Sequence, residues 1–249
     1  MSTLWDRFQQ YYLSHSGLGI SLDVSRMSFS NEFLAGMQAP AQNAFNAMAA
    51  LEAGAEANPD ESRMVGHYWL RNPSLAPVGE LSETIRKTNA SIESFAAEVH
   101  ASGEFTDVLV IGIGGSALGP QFISDALGNH DNPIRLHFLD NTDPDGIDRV
   151  FESLNGRLDH TLTVVISKSG GTKETRNGML EARRQYDLAG VPFAARAIAV
   201  TGAGSELDQY AVANGWLIRF PMWDWVGGRT SVMSAVGMVP LMLQGIPMQ

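Results

Sequence analysis

A chain of 249 residues has room for one large or two small domains, and its 44% apolar content supports a sizeable core. With 27 acidic against 17 basic side chains the formal charge is −10, which argues against nucleic acid or an anionic membrane as a main partner. Cysteine is absent, which excludes disulfides and thiolate chemistry, and the six histidines show no metal-ligand spacing, so neither a metal nor a cofactor is expected.

The opening MSTLWDRFQQYYL lacks the charged-then-apolar order of a signal peptide. No apolar run reaches the roughly 18 residues of a membrane-spanning helix. A cytoplasmic protein is expected. Residues 1–60 read as helices with breaks: the stretch from Asn31 is alanine-rich with apolar residues at helical spacing, and Pro40 predicts a boundary or kink. Asn58-Pro59-Asp60 is a turn, and RMVGHYWLRN over 63–72 reads as helical, with His67 packed. Leu81 to Ser102 is an amphipathic helix, with Ile85, Ile92, Phe95, Ala96 and Val99 on one face.

After Ser102 the pattern changes. DVLVIGIGG is a short apolar strand ending in glycines, with a helix through Gln121–Leu127. IRLHFLDNTDPD is a second strand, followed by a helix over Asp148–Leu154. TLTVVISKSGGTKET is a third, with a helix over Asn177–Ala189. ARAIAVTGAGSELDQYA is a strand–loop–helix unit, and WLIRFP is a fifth strand. Strands alternating with helices at this spacing predict βαβ units in a parallel sheet covered on both faces.

Ligands of such sheets bind at the carboxyl ends of strands, beside helix N-termini. Two stretches carry unusual residues there. In IGIGGSALGP (111–120) the glycines allow the backbone to approach a ligand, and the helix that follows presents free N–H groups to an anion. In VVISKSGGTKET (164–175) Ser167, Ser169, Thr172 and Thr175 offer hydroxyls, while Gly170 and Gly171 permit a nest of backbone amides. A helix beginning near Thr172 adds a partial positive charge worth about 0.3–1 kcal/mol towards an anion. Together these suit a phosphate monoester. Each hydroxyl could instead merely cap its helix, but two such loops on neighbouring strand ends favour a ligand.

A rival reading is a dinucleotide site: Gly112, Gly114 and Ala117 satisfy G-x-G-x-x-G/A after a strand, and Asp140 ends the next strand. The hydroxyl-rich tip of the third strand is no part of that fingerprint. Asp140, Asp143 and Asp145 read as turn chemistry, Trp223 and Trp225 as core or loop anchors, and Glu174 as a helix-start acid.

VIGIGGSALGP (110–120), ISKSGGTKET (166–175), WDWVGGRTSVMSAVG (223–237) and RMVGHYWLRN (63–72) together resemble the glucose-6-phosphate isomerases, members of the sugar-isomerase (SIS) domain family. The order and spacing match over roughly residues 60–249. The resemblance implies a flavodoxin-like α/β fold and an aldose–ketose isomerase working through an enediolate. Gly115 and Ser116 would contact the sugar. Ser167, Lys168, Ser169 and Thr172 would hold its phosphate. Arg229, after Gly227 and Gly228, would stabilise the enediolate. It further implies a homodimer, with the base, a further lysine and a partner-supplied histidine in later segments, which do not appear here. A non-catalytic SIS module sensing sugar phosphates is the alternative; it would have no need of Arg229. The expected organisation is an N-terminal helical segment (1–62), a first SIS domain (63–221), and the GGR motif with the start of a helix towards a second domain (222–249), the chain stopping inside an apolar helix.

Overall fold

The structure, a computed structural model, describes residues 3–248. The chain divides into two units, one ending at Ala49 and the other beginning at Ala50. In the first, α1 (Leu4–Tyr11) is followed by an antiparallel hairpin of β1 (Tyr12–His15) and β2 (Ile20–Asp23), then α2 (Asn31–Gly36) and most of α3 (Gln38–Glu52), whose last residues belong to the second. Helices were expected throughout this region, and the hairpin corrects that. Leu-Ser-His and Ile-Ser-Leu alternate apolar and polar residues around a Gly-containing turn, a strand signal hidden between two helical patterns. The break between α2 and α3 falls beside Pro40, as its fixed backbone predicts.

The second unit begins with a small hairpin, β3 (Glu56–Asn58) and β4 (Arg63–Met64), and a 3₁₀ turn over His67–Leu70. A helix was expected from residue 63. It does not form because tertiary contacts claim the segment: Gly66 donates its N–H to the Trp225 carbonyl at 2.9 Å, and Trp69 Nε1 donates to the Glu52 carbonyl at 2.9 Å. Trp69, Leu70, Ile85, Trp225 and Val226 bury one another there. The long amphipathic helix appears as α4 (Gly79–Ser102), with Ile85, Ile92, Ala96 and Val99 buried.

Five parallel strands follow: β5 (Asp107–Ile111), β6 (Arg135–Leu139), β7 (Thr161–Ser167), β8 (Ala197–Thr201) and β9 (Ile218–Pro221), in the order β6-β5-β7-β8-β9. This is the flavodoxin-like order, and its topological switch lies between β5 and β7. The connecting helices are α5 (Gly115–Leu127), α6 (Pro144–Ser153), α7 (Lys173–Leu188) and α8 (Glu206–Ala213); α9 (Ala235–Gln244) follows β9. Along β5, Val108 and Val110 join a cluster with Ile92, Ile123 and Val239, whereas Leu109 and Ile111 join one with Phe151, Met179 and Leu207. Alternation therefore feeds two cores, one under α4, α5 and α9, the other under α6, α7 and α8.

Two boundaries differ from expectation. α5 starts at Gly115 rather than Gln121, because a glycine-rich first turn has poor intrinsic helicity and hides its own start. The closing apolar run was expected to break off inside a helix. Instead α9 ends at Gly245, whose φ is 94°, and every residue of it except Met242 is buried. Its apolar character is accounted for by the core it fills.

At the amino ends of the strands lies a closed polar cluster. Asp107 has no exposed surface, and its carboxylate accepts from Thr106 Oγ1 (2.7 Å), His137 Nε2 (2.8 Å) and Arg157 Nε (3.0 Å). Burial alone would push this carboxyl up; the three donors outweigh it and hold it below the usual carboxylate range.

Candidate functional site

At the opposite edge, the loops after β5 and β7 flank the switch point, and a third segment, 223–228, crosses in front of them. The approach is backbone to backbone: a Cβ on Gly115 would lie 2.1 Å from the Gly228 carbonyl oxygen. Any side chain there would separate the GIGG loop from the GGR segment.

The loop Ser167–Thr172 braces itself. Gly170, at φ 74°, donates its N–H to Ser167 Oγ at 3.1 Å, and Gly171 donates to Ser169 Oγ at 3.2 Å. A Cβ at Gly170 would lie 2.1 Å from the Leu207 amide, so the loop sits directly on the start of α8. Glu206 N–H to Ser169 O (3.2 Å) and Gly202 N–H to Lys168 O (3.0 Å) complete that seat. The two glycine amides expected to face an anion are thus used inside the loop. The consequence favours anion binding in another way: a hydroxyl that already accepts keeps its own O–H to donate outward.

The amides that stay free are found at a helix start. α6 and α8 are capped by Asp143 and Ser205, whose side chains accept from Gly146 and Asp208 amides. α5 and α7, the helices that open onto this edge, have no side-chain cap. In α5 the Ser116 and Ala117 amides already donate to the Ile113 (3.2 Å) and Gly114 (3.1 Å) carbonyls, whereas at the start of α7 the Lys173, Glu174 and Thr175 amides have no backbone partner among the described residues and carry the positive end of the dipole. Beneath them Thr175 is buried, and its Oγ1 has no hydrogen-bond partner among the described residues. Buried hydroxyls are nearly always bonded, and of the unpartnered buried side-chain atoms among the described residues this is the one whose residue lines the cleft, where a ligand can complete it.

These groups surround a cleft of about 370 Å³. Gly115, Ser116, Ser167, Lys168, Ser169, Thr172 and Gly228, all singled out in the sequence, line it together. Lys168 serves as a brace as well: its Nζ donates to the carbonyls of Asp224 (3.0 Å) and Val226 (3.3 Å) and lies 3.3 Å from the Asp224 carboxylate. Arg229 follows the lining residue Gly228 but is exposed, and among the described residues its side chain forms no hydrogen bond or ion pair. Glu174 lies in the exposed first turn of α7, outside the lining. Asp140 is exposed and accepts from Gln121 Nε2 at 2.8 Å, while Asp143 caps α6. Arg63, Ile113, Met222 and Asp224 also line the cleft. Sequence reasoning did not select them, because only tertiary folding brings 63 and 224 to the loops after β5 and β7.

The sequence-family model described as "Phosphoglucose isomerase" matches residues 23–246. The chain belongs to this family. Among its relatives, a glucose-6-phosphate isomerase from Geobacter sulfurreducens is 60% identical over 254 residues, covering 99% of this chain and 48% of the relative. One from Nostoc punctiforme is 54% identical over 250 residues, covering 98% and 47%. The crystal structure of a glucose-6-phosphate isomerase from Chlamydia trachomatis superposes with a TM-score of 0.80 at 29% identity, over 94% of this chain and 46% of that one. The chain thus spans about half the length of the relatives it matches. The dinucleotide-binding reading finds no support in any of these matches.

Proposed function

We propose that this chain supplies the phosphate-gripping part of an isomerase that interconverts glucose 6-phosphate and fructose 6-phosphate. The observation that carries the reading is the convergence of two helix N-termini without side-chain caps, the serine hydroxyls of the 167–169 loop and the Thr175 hydroxyl, unpartnered among the described residues, on one cleft, in a chain of the phosphoglucose isomerase family. Ser167, Ser169 and Thr172 take the phosphate, with Lys168 fixing the loop. Gly115, Ser116 and Gly228 face the sugar.

In the reaction a base removes the proton from C2 of the open-chain aldose, the electron pair forms an enediolate, and C1 is then protonated to give the ketose. Negative charge on the sugar oxygens peaks at the enediolate. Arg229 meets that charge; a guanidinium is protonated at any working pH and acts as stabiliser, not base. The one carboxylate lining the cleft, Asp224, is engaged by Lys168, and Glu174 lies outside. The base therefore comes from outside the cleft described here. The same reading takes 1–62 as an N-terminal segment, 63–221 as an SIS domain and 222–249 as the segment carrying Arg229, in a cytoplasmic homodimer of glycolysis.

The test is isomerase assay of the longer gene product beside the 249-residue chain. The longer protein turns over, and this chain is slower by about 10²–10⁴-fold or more, the contribution of a positioned base. Turnover of the chain at the longer protein's rate would overturn the division of labour. No turnover by either would overturn the activity.

A further inference from the structure

Three charged side chains line the cleft: Arg63, Lys168 and Asp224. Two of them answer each other, since the Lys168 ammonium lies against the Asp224 carboxylate and its neighbouring carbonyls. A phosphate monoester carries about −1.5 to −2 charges at neutral pH. Serine hydroxyls and helix amides solvate that charge but do not neutralise it. Among the lining residues, Arg63 is the cation left for it.

Arg63 is available for the task. Its one ion-pair partner among the described residues is Glu61, at 3.2 Å, with side chains 39% and 51% exposed. The same Glu61 oxygen also accepts from Asn58 Nδ2 at 2.9 Å. An exposed pair of this kind is weak and screened, so a dianion entering the cleft can displace it. Local backbone also sets Arg63 apart. Ser62, immediately before it, has φ 48°, and among the described residues it is the one non-glycine residue in the left-handed region. The β3–β4 pairing shifts register between Glu56 and Asn58, so a bulge and a left-handed serine precede the residue that enters the cleft. Such outliers persist where surrounding structure holds them, and they concentrate at ligand sites.

We propose that Arg63 is a substrate-binding residue, its guanidinium passing from Glu61 to the phosphate dianion of the bound sugar phosphate. The proposal rests on the reading of the cleft as a sugar-phosphate site. It gives Glu61 a definite role as an internal competitor: the carboxylate holds the guanidinium in the empty cleft and opposes binding.

Calorimetric titration of the chain with fructose 6-phosphate, and separately with inorganic phosphate, tests this. Arg63→Gln weakens both ligands by about tenfold or more, the value of one charged hydrogen-bonding partner. Arg63→Lys recovers part of the loss. Glu61→Gln tightens both by about threefold, the size of an exposed ion pair. The double variant binds as weakly as Arg63→Gln, because Glu61 acts only through Arg63. Raising salt weakens the wild type more than Arg63→Gln. A wild-type chain that binds neither ligand overturns the cleft reading itself. A wild type that binds while Arg63→Gln binds equally well, or while Glu61→Gln binds no tighter, overturns the Arg63 proposal and leaves the cleft reading standing. A purely structural role for Arg63 would not make the two single substitutions move affinity in opposite directions.

Discussion

The two edges of the sheet treat polar groups in opposite ways. At the amino edge the Asp107 carboxylate is surrounded by Thr106, His137 and Arg157, and His137 Nδ1 lies 3.3 Å from Ser153 Oγ. At the carboxyl edge two helices start without side-chain caps, Thr175 Oγ1 is buried and has no partner among the described residues, and both open onto a cleft. A buried polar group costs free energy unless it is bonded. A cluster that satisfies itself is explained by folding; of the buried side-chain atoms left unpartnered among the described residues, which also include His67 Nδ1, Arg196 Nε, Trp216 Nε1 and Gln244 Oε1, Thr175 Oγ1 is the one whose residue lines the cleft. The difference locates the site more sharply than residue type does, since both edges hold hydroxyls and charges.

The largest effect should come from breaking the closed edge. Asp107→Ala leaves Arg157 and His137 without their buried partner, and we expect a loss of about 3–5 kcal/mol of stability in chemical denaturation. Sugar-phosphate affinity at 25 °C should not change as long as the variant stays folded. A weakened affinity in the folded variant would mean that the two edges are coupled.

At the open edge, Arg229→Ala in the longer protein should lower kcat by about 10²–10³-fold, as loss of a single electrostatic stabiliser does, with a much smaller rise in KM. Arg229→Lys should restore part, since an ammonium lacks the planar fork. Steady-state kinetics would show the split; equal changes in binding and turnover would place Arg229 in ground-state recognition.

Thr175→Val separates the edges by sign. Removing a buried hydroxyl without a protein partner should leave stability unchanged or raise it by about 1 kcal/mol, while phosphate affinity falls by about fivefold. Thermal melts and calorimetry on the same sample would decide. A variant that loses stability without losing affinity would show that Thr175 belongs to the fold.

The smallest effect is in acid. A carboxyl held below its ordinary range in the folded state contributes stability that is complete above the unfolded value of about 3.9 and is lost as pH falls through the lower folded value. Asp107 has that sign, and so does Glu181, which hydrogen bonds from Arg184 hold below the usual range against a smaller push from burial. Urea midpoints should therefore be level near neutrality and decline below about pH 4. Asp107→Asn should flatten the decline. A variant whose decline is as steep as the wild type's would remove Asp107 from the account.

Much of this was legible from residue order. The five strand patterns became β5 to β9, because continuous apolar runs ending in glycines or hydroxyls have few other solutions in a parallel sheet. Ser116, Ser167, Ser169 and Thr172 met at one cleft because all follow strands that neighbour the switch point. The failures have physical causes. The hairpin at 12–23 hid between helical patterns, and the stretch at 63–72 was held by Trp225 and Glu52 carbonyls rather than by its own periodicity. Nor could spacing reveal that Gly170 and Gly171 spend their amides within the loop, or that Arg63 would arrive beside it.

The central claim is that the carboxyl edge is built incomplete and is completed by a sugar phosphate. The most direct measurement is an amide-resolved NMR titration of the 249-residue chain with fructose 6-phosphate. The account predicts saturable shifts at Ser116, at Ser167–Thr172 and at the first-turn amides of α7, reversed by excess inorganic phosphate, with Asp107, His137 and Arg157 unmoved. Saturation accompanied by shifts centred on the Asp107 edge, or no saturable shift at all, would contradict it.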